Sequence, residues 1–110
     1  MKLPNKDKAI IPSEKLDGYL LSSTHPTGRY KAGFFRSLGY TQNNWEILDQ
    51  DIRKLLDKDV NESDETEYGK KYEIRGAITG PNGRKASIIT VWVILHDEEA
   101  ARFVTAYPED

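Results

Sequence analysis

Apolar positions recur every three or four residues through the first half of the chain and every second residue in much of the remainder. Pro12-Ser13-Glu14 precedes Leu16, Tyr19 and Leu20, which predicts a short helix with Ser13 as its cap. Tyr30, Phe34 and Leu38 are spaced by four and Gly39 follows as a stop. A second helix is therefore expected from Pro26 or Thr27 to Leu38, with Arg29, Lys31 and Arg36 mostly off its stripe. A third helix, capped by Asn43 or Asn44, is expected to reach about Asp57, and its stripe of Trp45, Leu48, Ile52, Leu55 and Leu56 assigns Trp45 to the core. Residues 57–67 are acidic and almost without apolar side chains, so they read as a mobile link between two halves of one fold.

After Glu67 the period becomes that of a strand. Tyr72, Ile74 and Ile78 alternate with Lys71, Glu73 and Arg75, and Gly80-Pro81-Asn82-Gly83 supplies a turn in which Gly83 is free to take a positive φ. The return run, residues 87–95, is apolar on both parities and predicts a central strand covered on both faces along part of its length. His96-Asp97-Glu98-Glu99 forms a polar turn before a last strand at residues 102–107, and Ala9-Ile10-Ile11 is a candidate for a further short strand. Helices first and strands afterwards place the fold in the α+β class, with two to three N-terminal helices on one face of a three- or four-stranded antiparallel sheet.

At 110 residues, the chain has the size of one domain, 1–110. It contains no cysteine, which rules out disulfides, thiolate zinc ligation and a cysteine nucleophile. With no apolar stretch near 18 residues and no apolar signal-peptide region at the start, a soluble cytoplasmic protein without a membrane partner is expected. The net charge of −2 conceals an asymmetry. Residues 1–40 carry seven Lys or Arg against three acids, residues 41–67 three against nine, and the remainder is balanced. Any phosphate-binding surface must then be local to the first segment, with the acidic middle facing away or meeting a basic partner.

Neither a phosphate-binding glycine loop nor a nucleophile elbow is present, and His25 and His96 are too far apart to form a helical metal pair. No metal or other cofactor is expected. His25-Pro26-Thr27-Gly28-Arg29-Tyr30-Lys31 puts an imidazole and two cations at a helix entrance, where free N–H groups favour anions. Metal-free RNA cleavage needs a group that takes the 2′-hydroxyl proton, one that protonates the departing oxygen, and cations for the phosphate; the alternative is that His25-Pro26 simply begins the helix and the cations are solvated. By strand parity Phe103, Thr105 and Tyr107 share one face, and Arg102, Val104 and Ala106 the other. If helices cover the Val104 face, Thr105 and Tyr107 lie on an open face able to meet phosphates and bases, or are merely half-buried sheet residues. Trp92 is either core or the floor of such a site. Arg84 and Lys85 flank the hairpin turn as exposed charges.

The order Lys2-Leu3-Pro4-Asn5, His25-Pro26-x-Gly28-Arg29-x-Lys31-Ala32, Tyr68-Gly69, Gly80-Pro81-Asn82-Gly83-Arg84, Trp92 and Val104-Thr105-Ala106-Tyr107-Pro108 resembles, over nearly the whole chain, a small bacterial domain of uncharacterised function. That domain occurs beside presumed antitoxins and at the C-termini of polymorphic toxins, and looks like a metal-independent ribonuclease fold of the barnase, EndoU, colicin and RelE type. The resemblance implies a toxin endoribonuclease cutting tRNA or another cellular RNA, with RNA and not DNA as substrate and a cognate antitoxin or immunity protein as partner. It further implies His25 as general base or acid, Lys31 as phosphate cation, Thr105 as phosphate ligand and Tyr107 as stacker or second acid, with Arg29, Trp92 and Arg84 contributing to RNA binding. The alternative function is a non-catalytic interaction module that binds a small partner protein through its sheet.

Overall fold

The computed structural model describes residues 1–26 and 29–109, with Tyr30 described by its backbone alone. One α-helical turn, Ser13–Lys15 (α1), runs directly into a π-helical turn, Leu16–Leu20, closed by the Leu21 N–H on the Leu16 carbonyl at 2.8 Å. Ser13 lies inside α1 and its side chain makes no cap; Pro12 holds that position instead. Helix α2 spans Arg29–Ser37 and helix α3 Trp45–Lys54, with 3₁₀ turns at Gln42–Asn44 and Leu55–Asp57 on either side of α3. The expected beginning of the second helix falls partly on residues 27 and 28, outside the described residues. Its stripe is also displaced: Ala32, Phe35 and Leu38 are buried and Phe34 only half-buried. Gly39 ends the helix at φ +98° as the sequence predicts.

Strands β1 (Glu62–Glu65), β2 (Gly69–Thr79), β3 (Lys85–Leu95) and β4 (Arg102–Pro108) form one antiparallel sheet in chain order. Helices precede strands, and the fold is α+β as expected. The fourth strand is β1, drawn from the segment expected to be a mobile link. All four of its residues are exposed, because an edge strand needs only ladder hydrogen bonds from its neighbour, and its pairs Asp64 with Lys71 and Glu65 with Lys70 are oppositely charged. The Ala9–Ile11 segment makes a single parallel bridge, Ile10 to Arg102, and is not a strand.

Strand β3 is central, and both faces are covered at its middle: Thr90, Val91 and Trp92 are all buried. The helices lie on one sheet face. Leu16, Leu20, Phe35, Leu48 and Ile52 pack with Tyr72, Ile74, Ile88, Trp92, Phe103 and Ala106 in one core. Within that core the Trp92 Nε1 donates to Thr90 Oγ1 at 2.9 Å, and the same hydroxyl donates to the Ile74 carbonyl at 3.1 Å, so the buried polar atoms are satisfied. The β2–β3 turn also terminates α2. Asn82 donates from its side chain to the Ser37 carbonyl at 2.9 Å and from its backbone to the Leu38 carbonyl at 3.3 Å. Gly83 takes φ +87° there, as that turn requires. Among the described residues no helix is long and apolar enough to cross a membrane.

Candidate functional site

The register between β3 and β4 slips beside the middle of the sheet: Val91 pairs with Thr105 while Trp92 pairs with Phe103, leaving Val104 as an extra residue. This bulge breaks the simple parity expected for β4. Phe103 and Ala106, which strict alternation puts on opposite faces, both enter the core, and the consecutive residues Val104 and Thr105 both line one cleft of about 620 Å³. A bulge re-aims side chains in this way because two residues of one strand stand against one of its neighbour.

The opposite wall of the cleft is the π-helical turn. A wide turn of this kind, frequent at functional sites, lets Leu16, Leu20 and Leu21 all be buried while Tyr19 reaches the cleft. Glu14 and Lys15 stand at the same wall, and Gly18 leaves it open, since among the described residues the nearest atom to a Cβ there is Glu14 Cβ at 3.9 Å. Helix α2 delivers the cation. Lys31 immediately precedes buried Ala32 and lies one turn before buried Phe35, so it leaves the helix at the margin of the packed face.

Three polar atoms meet at this point. The Lys31 Nζ donates to the Tyr19 hydroxyl at 2.7 Å and to Thr105 Oγ1 at 2.8 Å, and the two hydroxyls are 3.3 Å apart. The His25 ring stands edge-on to the Tyr19 ring at 5.0 Å between centroids, and the Lys15 ammonium lies 5.8 Å from the centre of the same ring. Burial pushes the Tyr19 phenol up, but the hydrogen bonds from Lys31 and Thr105 and the charges of Lys31 and Lys15 outweigh it and hold the phenol below its ordinary value. Among the described residues the Lys31 ammonium forms no ion pair with a carboxylate, so its charge is directed at two neutral hydroxyls. An ammonium carries three hydrogens and these two bonds use two of them. Such an arrangement suits an anion.

Thr105, 74 positions beyond Lys31, is thus brought to the same place: His25 and Thr105 line the cleft, and Lys31 reaches its wall through the bonds to Tyr19 and Thr105. Tyr107 is half-buried, pairs with Ile89 further along β4, and does not line the cleft. Arg29 is exposed in the first turn of α2, its N–H on the His25 carbonyl at 3.1 Å. Arg84 is exposed at the β2–β3 turn, which packs on the other end of α2, roughly 13 Å along a helix of nine residues. Trp92 is fully buried, edge-on to Phe103 at 5.4 Å, and has no surface to offer a base; the expectation that it contacts RNA fails because its side chain packs into the core between the sheet and the helices. Tyr19 is the member that the sequence reading missed, counting it with Leu16 and Leu20 among the apolar positions of the first helix. A signal existed in Leu16 and Leu20, which complete an i, i+4 stripe without it.

No curated protein matches the chain. A solved structure, the contact-dependent growth inhibition toxin–immunity protein complex from Klebsiella pneumoniae 342, contains a chain with the same fold at a TM-score of 0.73 and 17% identity, covering 92% of this chain and 100% of that one. Residues 2–110, bearing all the elements that build the cleft, match a family model, and the chain belongs to that family, described as a domain of unknown function, DUF6883.

Proposed function

We propose that the chain is a metal-independent endoribonuclease toxin acting on tRNA or another cellular RNA and restrained by a cognate partner protein. The observation that carries this reading is the Lys31 ammonium held between the Tyr19 and Thr105 hydroxyls, 2.7 and 2.8 Å away, with the His25 ring beside them in an open cleft. In RNA cleavage the 2′-oxygen attacks the phosphorus while negative charge grows on the phosphate oxygens. His25 takes the 2′-hydroxyl proton, and Lys31 and Thr105 donate to the phosphate as its charge develops. Arg29, exposed near the start of the same helix, extends the positive surface toward the flanking backbone.

The partner is supported by the related fold in a toxin–immunity protein complex and by the acidic, fully exposed edge strand β1, which suits a basic protein surface and not a nucleic acid. That complex also favours a second reading. It joins a toxin to an immunity protein, and a chain with this fold suits a protein-binding role without turnover.

Incubation of the purified protein with total cellular RNA in EDTA separates the two. Discrete new RNA ends from the wild type, lost in folded His25→Ala, support the ribonuclease and identify its substrate. Intact RNA in both reactions, with or without magnesium, together with recovery of a stoichiometric protein partner, supports the binding module.

A further inference from the structure

Building on the ribonuclease reading, we infer that Tyr19 is a catalytic residue of this cleft, the proton donor to the departing 5′-oxygen. The cleavage needs a base and an acid on the two sides of one phosphate. The base side has His25. For the acid side the sequence offers Tyr107, which lies off the cleft, whereas Tyr19 lines it and is in contact with the His25 ring.

The hydrogen-bond arrangement favours proton release from Tyr19. Lys31 donates to both hydroxyl oxygens, and the 3.3 Å contact between those oxygens uses at most one of their two hydrogens. At least one hydroxyl hydrogen is therefore left over from that contact, beside a cleft that both side chains line. Of the two hydroxyls the phenol is much the more acidic, ordinarily near pH 10, and here the neighbouring cations lower it further. Once the proton has left, the phenolate oxygen faces an ammonium 2.7 Å away, so charge forms where it is already compensated.

The 2′-oxygen bonds to phosphorus as its proton passes to His25; the bond from phosphorus to the 5′-oxygen breaks, and that oxygen takes the Tyr19 proton. The products are a 2′,3′-cyclic phosphate and a free 5′-hydroxyl, and exchange with water returns His25 and Tyr19 to their starting states.

A leaving group that needs no proton distinguishes this role from packing. Tyr19→Phe keeps the ring that meets His25 and Lys15, and is assayed on RNA and on a ribonucleoside 3′-phosphate ester of para-nitrophenol. The expected loss is about 10²- to 10⁴-fold on RNA and under about tenfold on the activated ester. Equal losses on both substrates, or unchanged RNA cleavage, overturn the assignment while leaving the ribonuclease reading intact. A wild type inactive on both substrates removes that reading and the assignment with it. The wild type provides an independent measurement should the variant not fold: its rate on RNA falls at alkaline pH as the phenol ionises, below the ordinary phenol range, while its rate on the ester does not. Parallel profiles on the two substrates overturn the proposal.

Discussion

Gly18 offers a way to close the cleft without disturbing what surrounds it. It lies on the cleft wall within the π-helical turn, and a Cβ placed there has, among the described residues, no neighbour nearer than 3.9 Å. Replacing a helical glycine by alanine or leucine recovers about 0.5–1 kcal/mol of backbone entropy and propensity. For a chain of this size, that corresponds to a rise in Tm of roughly 3–6 °C. Gly18→Ala adds one methyl group and is expected to keep most activity. Gly18→Leu carries its side chain into the space in front of Tyr19 and Thr105, and a displacement of about 1 Å in the substrate is enough to cost 10²-fold in rate. The expected result is thus opposite in sign for the two readouts: thermal unfolding moves up in both variants, while RNA cleavage in EDTA collapses in Gly18→Leu alone. A stabilised Gly18→Leu protein with full activity would refute the assignment of this cleft as the site. Two unfolded variants would show that the π-helical turn requires the glycine for its own geometry.

Further outcomes follow from particular contacts. Lys31→Met preserves the stem but removes the donor to both hydroxyls; cleavage falls about 10²- to 10³-fold, as for loss of one oxyanion donor, and tyrosine absorbance titration shows the Tyr19 phenol moving up. Tyr40 is fully buried, and burial and its 2.6 Å hydrogen bond to Asp51 push its phenol up. Because the folded value exceeds the unfolded one, this contribution is complete below about pH 10 and is lost as pH rises beyond it. Urea titrations at increasing pH should show stability declining there, and declining less in Tyr40→Phe, which is itself about 1.5–3 kcal/mol weaker near neutrality. Gly80→Ala forces a methyl group against the Leu38 carbonyl oxygen and Leu38 Cβ at the end of α2. A shift of the urea midpoint equivalent to about 1–3 kcal/mol is expected, with activity per folded molecule retained.

The elements that depend on local signals alone were legible in the sequence. The stripe of α3 and of the 3₁₀ turn that continues it buries Leu48, Ile52, Leu55 and Leu56 because positions three and four apart share a helix face, and Trp45 packs against that core half-buried. The Gly80–Gly83 turn and the doubly covered middle of β3 follow in the same way from backbone freedom and from apolar residues on both parities. Strand β1 was not legible, since four exposed polar residues carry no burial pattern and are ordered only by the neighbouring strand.

The sequence by itself determined the class of fold, the central strand, and the candidacy of His25, Lys31 and Thr105, because helix entrances and strand periods are properties of neighbouring residues. Tertiary structure alone decided that those three meet. Residues 74 positions apart touch through the Lys31–Thr105 hydrogen bond only because β4 returns beside the first helical turns. It also decided the face that Thr105 shows, through a bulge that pairing with β3 imposes on β4 and that no alternation of residue types in β4 reveals. Tyr19 gained its chemistry from the same source: an aromatic ring in an apolar stripe reads as packing until an ammonium from another helix is placed 2.7 Å from its hydroxyl, a charge-assisted contact that no local pattern around Tyr19 reveals.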